Sequence, residues 1–220
     1  MKTVVISGAN RGIGLALCAQ YQQQGVQVYA LCRQTSVQLE ALGIEVVEGV
    51  DVASEQGLEV MCEALAGQQI DVLINNAGIL RDEVLGHIDR ASISEQFTVN
   101  ALAPLMVVDA LQHQLAEGAK VAFITSRMGS IADNTSGGRY GYRMSKSALN
   151  AAAVSVAHDF APRHISVGIY HPGYVQTQMV GGNGDISAQE AARRLHGLIE
   201  GQTQADTGVF KHSNGEVLPW

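Results

Sequence analysis

Short β-branched apolar runs alternate along this chain with longer stretches of helical periodicity, and that alternation limits the fold more than any other feature. The runs fall at residues 3–7, 26–31, 44–49, 71–75, 120–125 and 165–170, with residues 208–211 as a candidate seventh. Helical patterns fill residues 12–24, 54–66, 92–116, 142–161 and 188–200. Strands that are apolar on both faces and separated by helices imply a parallel sheet covered on both sides. The expected fold is therefore α/β, a doubly wound parallel sheet in one domain over residues 1–220. Glycine-rich stretches at 137–141 and 181–184 read as loops, and neither a repeat nor a linker divides the chain.

The first run leads directly into Gly8-Ala9-Asn10-Arg11-Gly12-Ile13-Gly14 and then into a helical pattern. Strand, glycine turn and helix make the context in which backbone N–H groups and a helix N-terminus receive a pyrophosphate. The spacing is G-x3-G-x-G. A dinucleotide site usually places an acid at the end of the second strand to hold the ribose 2′-OH. Here that strand ends in Cys32-Arg33, and no acid precedes Glu40. Arg11 and Arg33 are suited to a 2′-phosphate by planar, charge-assisted donation, which predicts NADP(H) in preference to NAD(H). The lesser alternative is that both arginines are solvated surface charges.

Further segments carry a resemblance to the short-chain dehydrogenase/reductase family over nearly the whole chain. The stretch Asp71 to Gly78, DVLINNAG, resembles the family's fourth strand and its Asn-Asn-Ala-Gly motif. Asn100 matches the asparagine of the catalytic helix, Ser126 the catalytic serine, and Tyr142 with Lys146 the Y-x3-K motif. The subgroup it most resembles, through TSRMGSI, GYGYRMSKSALN and the ending LPW, is that of the C-factor and sniffer-type carbonyl reductases. The resemblance implies a seven-stranded Rossmann-like sheet of order 3-2-1-4-5-6-7. It implies cofactor contacts from Gly8, Asn10, Arg11, Gly12, Ile13, Gly14, Arg33, Asp51, Val52, Asn76, Ala77, Gly78, Tyr142, Lys146, Pro172, Gly173, Val175 and Thr177. It also implies that Asn100 anchors water in a proton path from Lys146. The segment between Ser126 and Tyr142 is longer than the pattern by a few residues around 134–138, so Thr125 and Ser130 stand beside Ser126 as alternatives.

Carbonyl reduction needs an acid for the developing alkoxide, and a phenol of pKa about 10 needs help to act near neutrality. Lys146, four residues after Tyr142 on one helix face, is the expected source of that help. No other tyrosine has this partner: Tyr140 is followed at the fourth position by Met144, Tyr29 by Arg33 and Tyr170 by Tyr174. Asn100 falls inside a helical pattern, where asparagine is a weak former, so it either satisfies a local backbone bend or serves the site. His171 after the sixth run is expected to be structural.

The expected activity is NADPH-dependent reduction of an aldehyde, ketone or quinone; the alternative is a C-factor-like signalling or nucleotide-sensing protein with incidental turnover. Only a short glycine-rich loop, residues 178–187, stands where a substrate lobe would be, which predicts a broad substrate range. The formal charge of −7 argues against nucleic acid as a partner. No apolar run reaches the length of a membrane span, and no Cys/His cluster suggests a metal. Cys18, Cys32 and Cys62 have neither disulfide nor zinc spacing, so reduced thiols in a cytoplasmic protein are expected. Small residues at Ala148, Ala151, Ala152 and Ser155 permit either a homodimer through residues 142–161 or close packing on the sheet.

Overall fold

A computed structural model describes all 220 residues. The first half runs β1 (Thr3–Ser7), α1 (Gly12–Gln22), β2 (Gln27–Leu31), α2 (Val37–Glu40), β3 (Glu45–Val47), α3 (Glu55–Ala64) and β4 (Ile70–Asn75). Then come α4 (Arg90–Phe97), a π-helical turn (Thr98–Leu102), α5 (Ala103–Leu111), β5 (Leu115–Ile124) and α6 (Tyr140–Phe160). The chain closes with β6 (Ser166–His171), β7 (Val175–Gln176), β8 (Ile186–Ser187), α7 (Ala188–Glu200) and β9 (Phe210–His212). Seven strands form one sheet in the order β3-β2-β1-β4-β5-β6-β9, parallel throughout. This is the doubly wound topology expected of the sequence, with β9 in the seventh place.

Alternation along each strand divides the core in two. Val5, Leu73, Val121 and Phe123 face α3, α5 and α6 in a cluster of 28 buried residues. Val4, Ile6, Val72 and Ile74 face α1 and α7 in a cluster of 19. Removing apolar area from water contributes about 25 cal/mol per Å², so burial on both faces makes the central strands the most tightly held part of the chain. Their carboxyl ends, where the chain leaves the core, form the floor of the site. No helix is long and apolar enough to cross a membrane.

Three boundaries differ from the sequence expectation. The helical pattern of residues 92–116 is two helices joined by the π turn, and it stops at Leu111 because residues 115–124 form β5. The early part of β5, Leu115-Ala116-Glu117-Gly118, crosses an irregularity in the pairing with β4 between Ile70 and Val72, which hides its strand character. Residues 178–187 are not a bare loop: Gln178–Val180 make a 3-10 turn, β7 pairs with β8, and Asp185 N–H donates to the Tyr174 carbonyl at 2.8 Å. The small residues of α6 also separate: Ala148 rests against the core, whereas Ala151 and Ser155 are exposed. All three cysteines are free thiols.

Candidate active site

The glycine loop is built by contact with the end of β4. Gly8 adopts φ +65°, and a Cβ there would stand 2.8 Å from the Ala77 Cα; at Gly14 it would stand 2.3 Å from the Gly8 carbonyl oxygen. Side chains therefore cannot enter, and the backbone is left bare for a phosphate. Ser7 Oγ accepts from the N–H groups of Asn76 and Ala77 at 3.1 and 3.2 Å, and Asn76 Nδ2 donates to the carbonyls of Ser7 and Gly8 at 3.0 and 3.1 Å. The N-terminus of α1 carries no side-chain cap, so its N–H groups and dipole are available to an anion. This bare cradle fits a dinucleotide pyrophosphate.

A cavity of about 720 Å³ extends from this loop along the carboxyl ends of the strands. At one end stand Asn10, Arg11, Arg33, Asp51 and Val52. Asn10 Nδ2 donates to the Gln34 carbonyl at 2.9 Å, and Ser36 Oγ donates to the Asn10 carbonyl at 2.8 Å, which ties the two loops together. Asp51 accepts from the Ala53 N–H at 3.0 Å. Arg33 makes no ion pair, and Arg11 donates to Gln178 across the mouth of the groove. No metal-holding group of His, Cys, Asp or Glu side chains is found.

At the other end α6 presents Tyr142 and Lys146 to the same cavity, both buried. Lys146 Nζ donates to the Ile124 carbonyl at 3.0 Å and lies 5.8 Å from the centre of the Tyr142 ring. Burial pushes the Lys146 ammonium down to about 8. Burial pushes the Tyr142 phenol up, while the Ser126 hydroxyl and the Arg139 guanidinium pull it back. The expectation that Lys146 would bring the phenol toward neutrality is thus not met in this structure. The ammonium is engaged by a carbonyl near the ring, and loss of water outweighs the charges around the hydroxyl.

Of the three candidate hydroxyls, Thr125 donates to Asn150 Oδ1 at 2.7 Å and Ser130 accepts from the Asp133 N–H at 3.0 Å. Ser126 caps the short turn after β5 by accepting from the Met128 N–H at 3.1 Å, and is the hydroxyl that faces the phenol. Asn100 occupies the π turn, fully buried. Its Oδ1 accepts from the Ile79 N–H at 2.8 Å, and its Nδ2 donates to the Ile79 carbonyl at 2.8 Å and to Ser145 Oγ at 3.0 Å. The asparagine thus joins the exit of β4 to the residue beside Lys146. A Cβ at Gly78 would make a tight approach of 3.2 Å to Asn100 Oδ1 and an ordinary contact of 3.6 Å with Lys146 Nζ.

Gly8, Gly12, Ile13, Asn76, Ala77, Gly78, Pro172 and Thr177 line the cavity with the residues already described. Gly14, Asn100, Ser126, Gly173 and Val175 are not among the residues that line it. Gly173 takes φ +99° against Ile186, and Val175 is buried in the β7–β8 pair. Ile79, Thr98, Val99, Gln178 and Met179 also line the wall and were not expected from the sequence. Thr98 and Val99 lie within one turn of Asn100, a proximity that was legible; Gln178 follows Thr177 in a turn that glycines made look empty. His171, pushed down to about 3 by burial, with His212 and Arg127 adding to the shift, stays neutral, as a structural histidine would.

The family model for short chain dehydrogenase matches residues 2–186. The chain belongs to this family. It is accordingly an NAD(P)-dependent dehydrogenase or reductase. Among curated relatives, a 1-hydroxy-2-glutathionyl-2-methyl-3-butene dehydrogenase of Rhodococcus sp. (strain AD45) is 37% identical, with 100% of both chains covered. The C-signal protein of Myxococcus xanthus is 44% identical over 69% of this chain and 93% of its own. Among solved structures, NADPH-bound carbonyl reductase from chicken fatty liver has a TM-score of 0.91 at 27% identity, covering 100% of this chain and 99% of the other.

In this short-chain dehydrogenase the buried lysine sets a testable sign. Its pKa falls from 10.5 to about 8 on folding, so between these values the unfolded chain holds more protons and stability rises with pH. Below pH 8 the buried ammonium opposes folding. Lys146→Met should therefore be more stable than the parent at pH 7, by about 1–3 kcal/mol on the scale of 1.36 kcal/mol per pKa unit, with the difference shrinking by pH 10. Urea unfolding at the two pH values measures it; a less stable variant at pH 7 would contradict the assignment.

Proposed function

We propose that this chain is an NADPH-dependent carbonyl reductase that converts an aldehyde, ketone or quinone to an alcohol, with Tyr142 as general acid. The observation that carries the reading is the arrangement of one continuous cavity, with Arg11 and Arg33 at one end and Tyr142 and Lys146 at the other. The bound NADPH relative supports the cofactor, and the preference over NADH rests on the two guanidinium groups. When bound, NADPH supplies the hydride.

The Tyr142 hydroxyl donates its proton to the oxygen on which negative charge develops, and the Ser126 hydroxyl donates to the same oxygen. Because burial holds the phenol above its ordinary pKa, it keeps its proton at neutral pH. Reduction is favoured there, and alcohol oxidation, which needs the phenolate, is favoured at high pH. Lys146 holds the cofactor ribose from the α6 side, and Asn100, through Ile79, fixes the wall opposite. A second reading, a signalling protein with incidental turnover, is favoured by the 44% identity to C-signal. Assay of NADPH oxidation over a panel of aldehydes, ketones and quinones separates the two readings.

Removal of one charge-assisted phosphate contact costs about 1.5–3 kcal/mol, so Arg33→Ala should weaken NADPH binding roughly tenfold or more and leave NADH binding unchanged. Fluorescence titration of both cofactors decides it, and equal affinities in the parent would contradict the preference. Tyr142→Phe should lose nearly all turnover while retaining NADPH affinity, with Tyr140→Phe as the control. Near-parental turnover of Tyr142→Phe would show the acid to be misassigned. The exposed Ala151 and Ser155 leave a close-packing face on α6 for a second copy of the chain, and light scattering at micromolar concentration should give a dimer mass.

A further inference from the structure

Glu83 is a carboxylate with only 3% of its surface exposed and no ion pair, at the start of the helix that carries the proposed acid. Its Oε1 accepts from Ser92 Oγ and from Gln96 Nε2, each at 2.6 Å, and its Oε2 accepts from the Gly141 N–H at 3.1 Å. The Glu83 carbonyl accepts from the Arg139 N–H at 3.0 Å, and neighbouring Asp82 pairs with the Arg139 guanidinium at 2.7 Å. Gln96, itself fully buried, accepts from the Arg81 N–H at 3.0 Å.

A buried carboxylate is costly unless donors and a favourable field surround it. Here the field comes from the N-terminus of α6, a helix of 21 residues with no acid in its first turn and no side-chain cap of its own. Glu83 supplies the missing acceptor from another part of the chain. The approach is close: a Cβ at Gly141 would stand 2.6 Å from Gln96 Nε2 and 3.1 Å from Glu83 Oε1, so both side chains would have to shift. Gly141 directly precedes Tyr142, so the carboxylate holds the backbone one peptide from the phenol.

We infer that Glu83, with Gln96, is a positioning residue for the reaction: it fixes the first turn of α6 and thereby the placement of the Tyr142 hydroxyl. This rests on Tyr142 being the proton donor. Misplacement of a reacting group reduces the chemical step more than binding.

Glu83→Gln sets amide donors against each other. It should lower kcat about tenfold, equivalent to about 1.4 kcal/mol in the barrier, while the carbonyl KM and NADPH Kd stay within about twofold. Gln96→Glu alone, which faces two carboxylates, should behave alike. The double variant Glu83→Gln/Gln96→Glu reverses the bond between positions 83 and 96 while leaving an oxygen at 83 to accept from the Gly141 N–H and one at 96 to accept from the Arg81 N–H, and should recover kcat to within about threefold of the parent. A merely structural role would lower Tm and leave kcat of the folded protein intact, and that result overturns the inference. So does a double variant that binds NADPH but turns over no faster than the single variants. If the single variants fail to fold, Glu83→Asp, which keeps the charge but shortens the reach to the Gly141 N–H, takes their place: a lowered kcat at unchanged KM and NADPH Kd supports the positioning role, and a parental kcat refutes it. Tyr142→Phe in the same assay keeps the two ideas apart. Retained turnover there removes the acid assignment, whereas its loss together with unchanged kcat in Glu83→Gln removes only the role of Glu83.

Discussion

The meeting of β1 and β4 at their carboxyl ends is the constraint on which the site depends. Ser7 and Asn76 exchange hydrogen bonds across the two strand exits, and Gly8 and Gly14 let the backbones close to a distance that no side chain would permit. Both strands are buried on two faces, so this junction inherits the rigidity of the core. The phosphate cradle, the wall continued by Gly78 and Ile79, and the helix α1 all start from it.

A second line of order runs from β4 through Asn100 to α6. The amide of Asn100 pairs with both backbone groups of Ile79, as a neighbouring strand would, and reaches Ser145 beside Lys146. The π turn that carries it is the local distortion that lets one helical side chain serve two elements. Polar groups so placed have no alternative partners, which specifies their geometry more strictly than packing alone.

Much of this was legible in the residues. Strand runs apolar on both faces, the glycine spacing after Ser7 and the offset of four between Tyr142 and Lys146 follow from backbone geometry, which sequence patterns record directly. The asparagine at 100 announced itself as unfavourable within a helix, although its partner Ile79 lies in a segment without periodicity. Glu83 was invisible because a charge in a loop reads as solvated, and only the fold brings Gly141 and Gln96 to it. The start of β5 was hidden by Glu117 and Gly118, which fall in the break of the pairing with β4 between Leu115 and Lys120, where Gly118 takes φ +72°. The phenol's upward displacement depends on how deeply α6 is covered, a quantity that spacing does not contain.

Gly137, Gly138 and Arg139 take three successive left-handed conformations before α6 begins. Such a run reverses the chain direction over a few residues, and the Asp82 and Glu83 contacts lie at its downstream end. The preceding segment also reaches the helix directly, through Ser136 Oγ, which accepts from the Arg143 guanidinium at 2.9 Å. The direction in which the chain enters α6 is therefore set twice, by backbone conformation ahead of the helix and by the carboxylate that holds its first turn, so a side chain larger than hydrogen at 137 or 138 would disturb the helix start without touching the cavity.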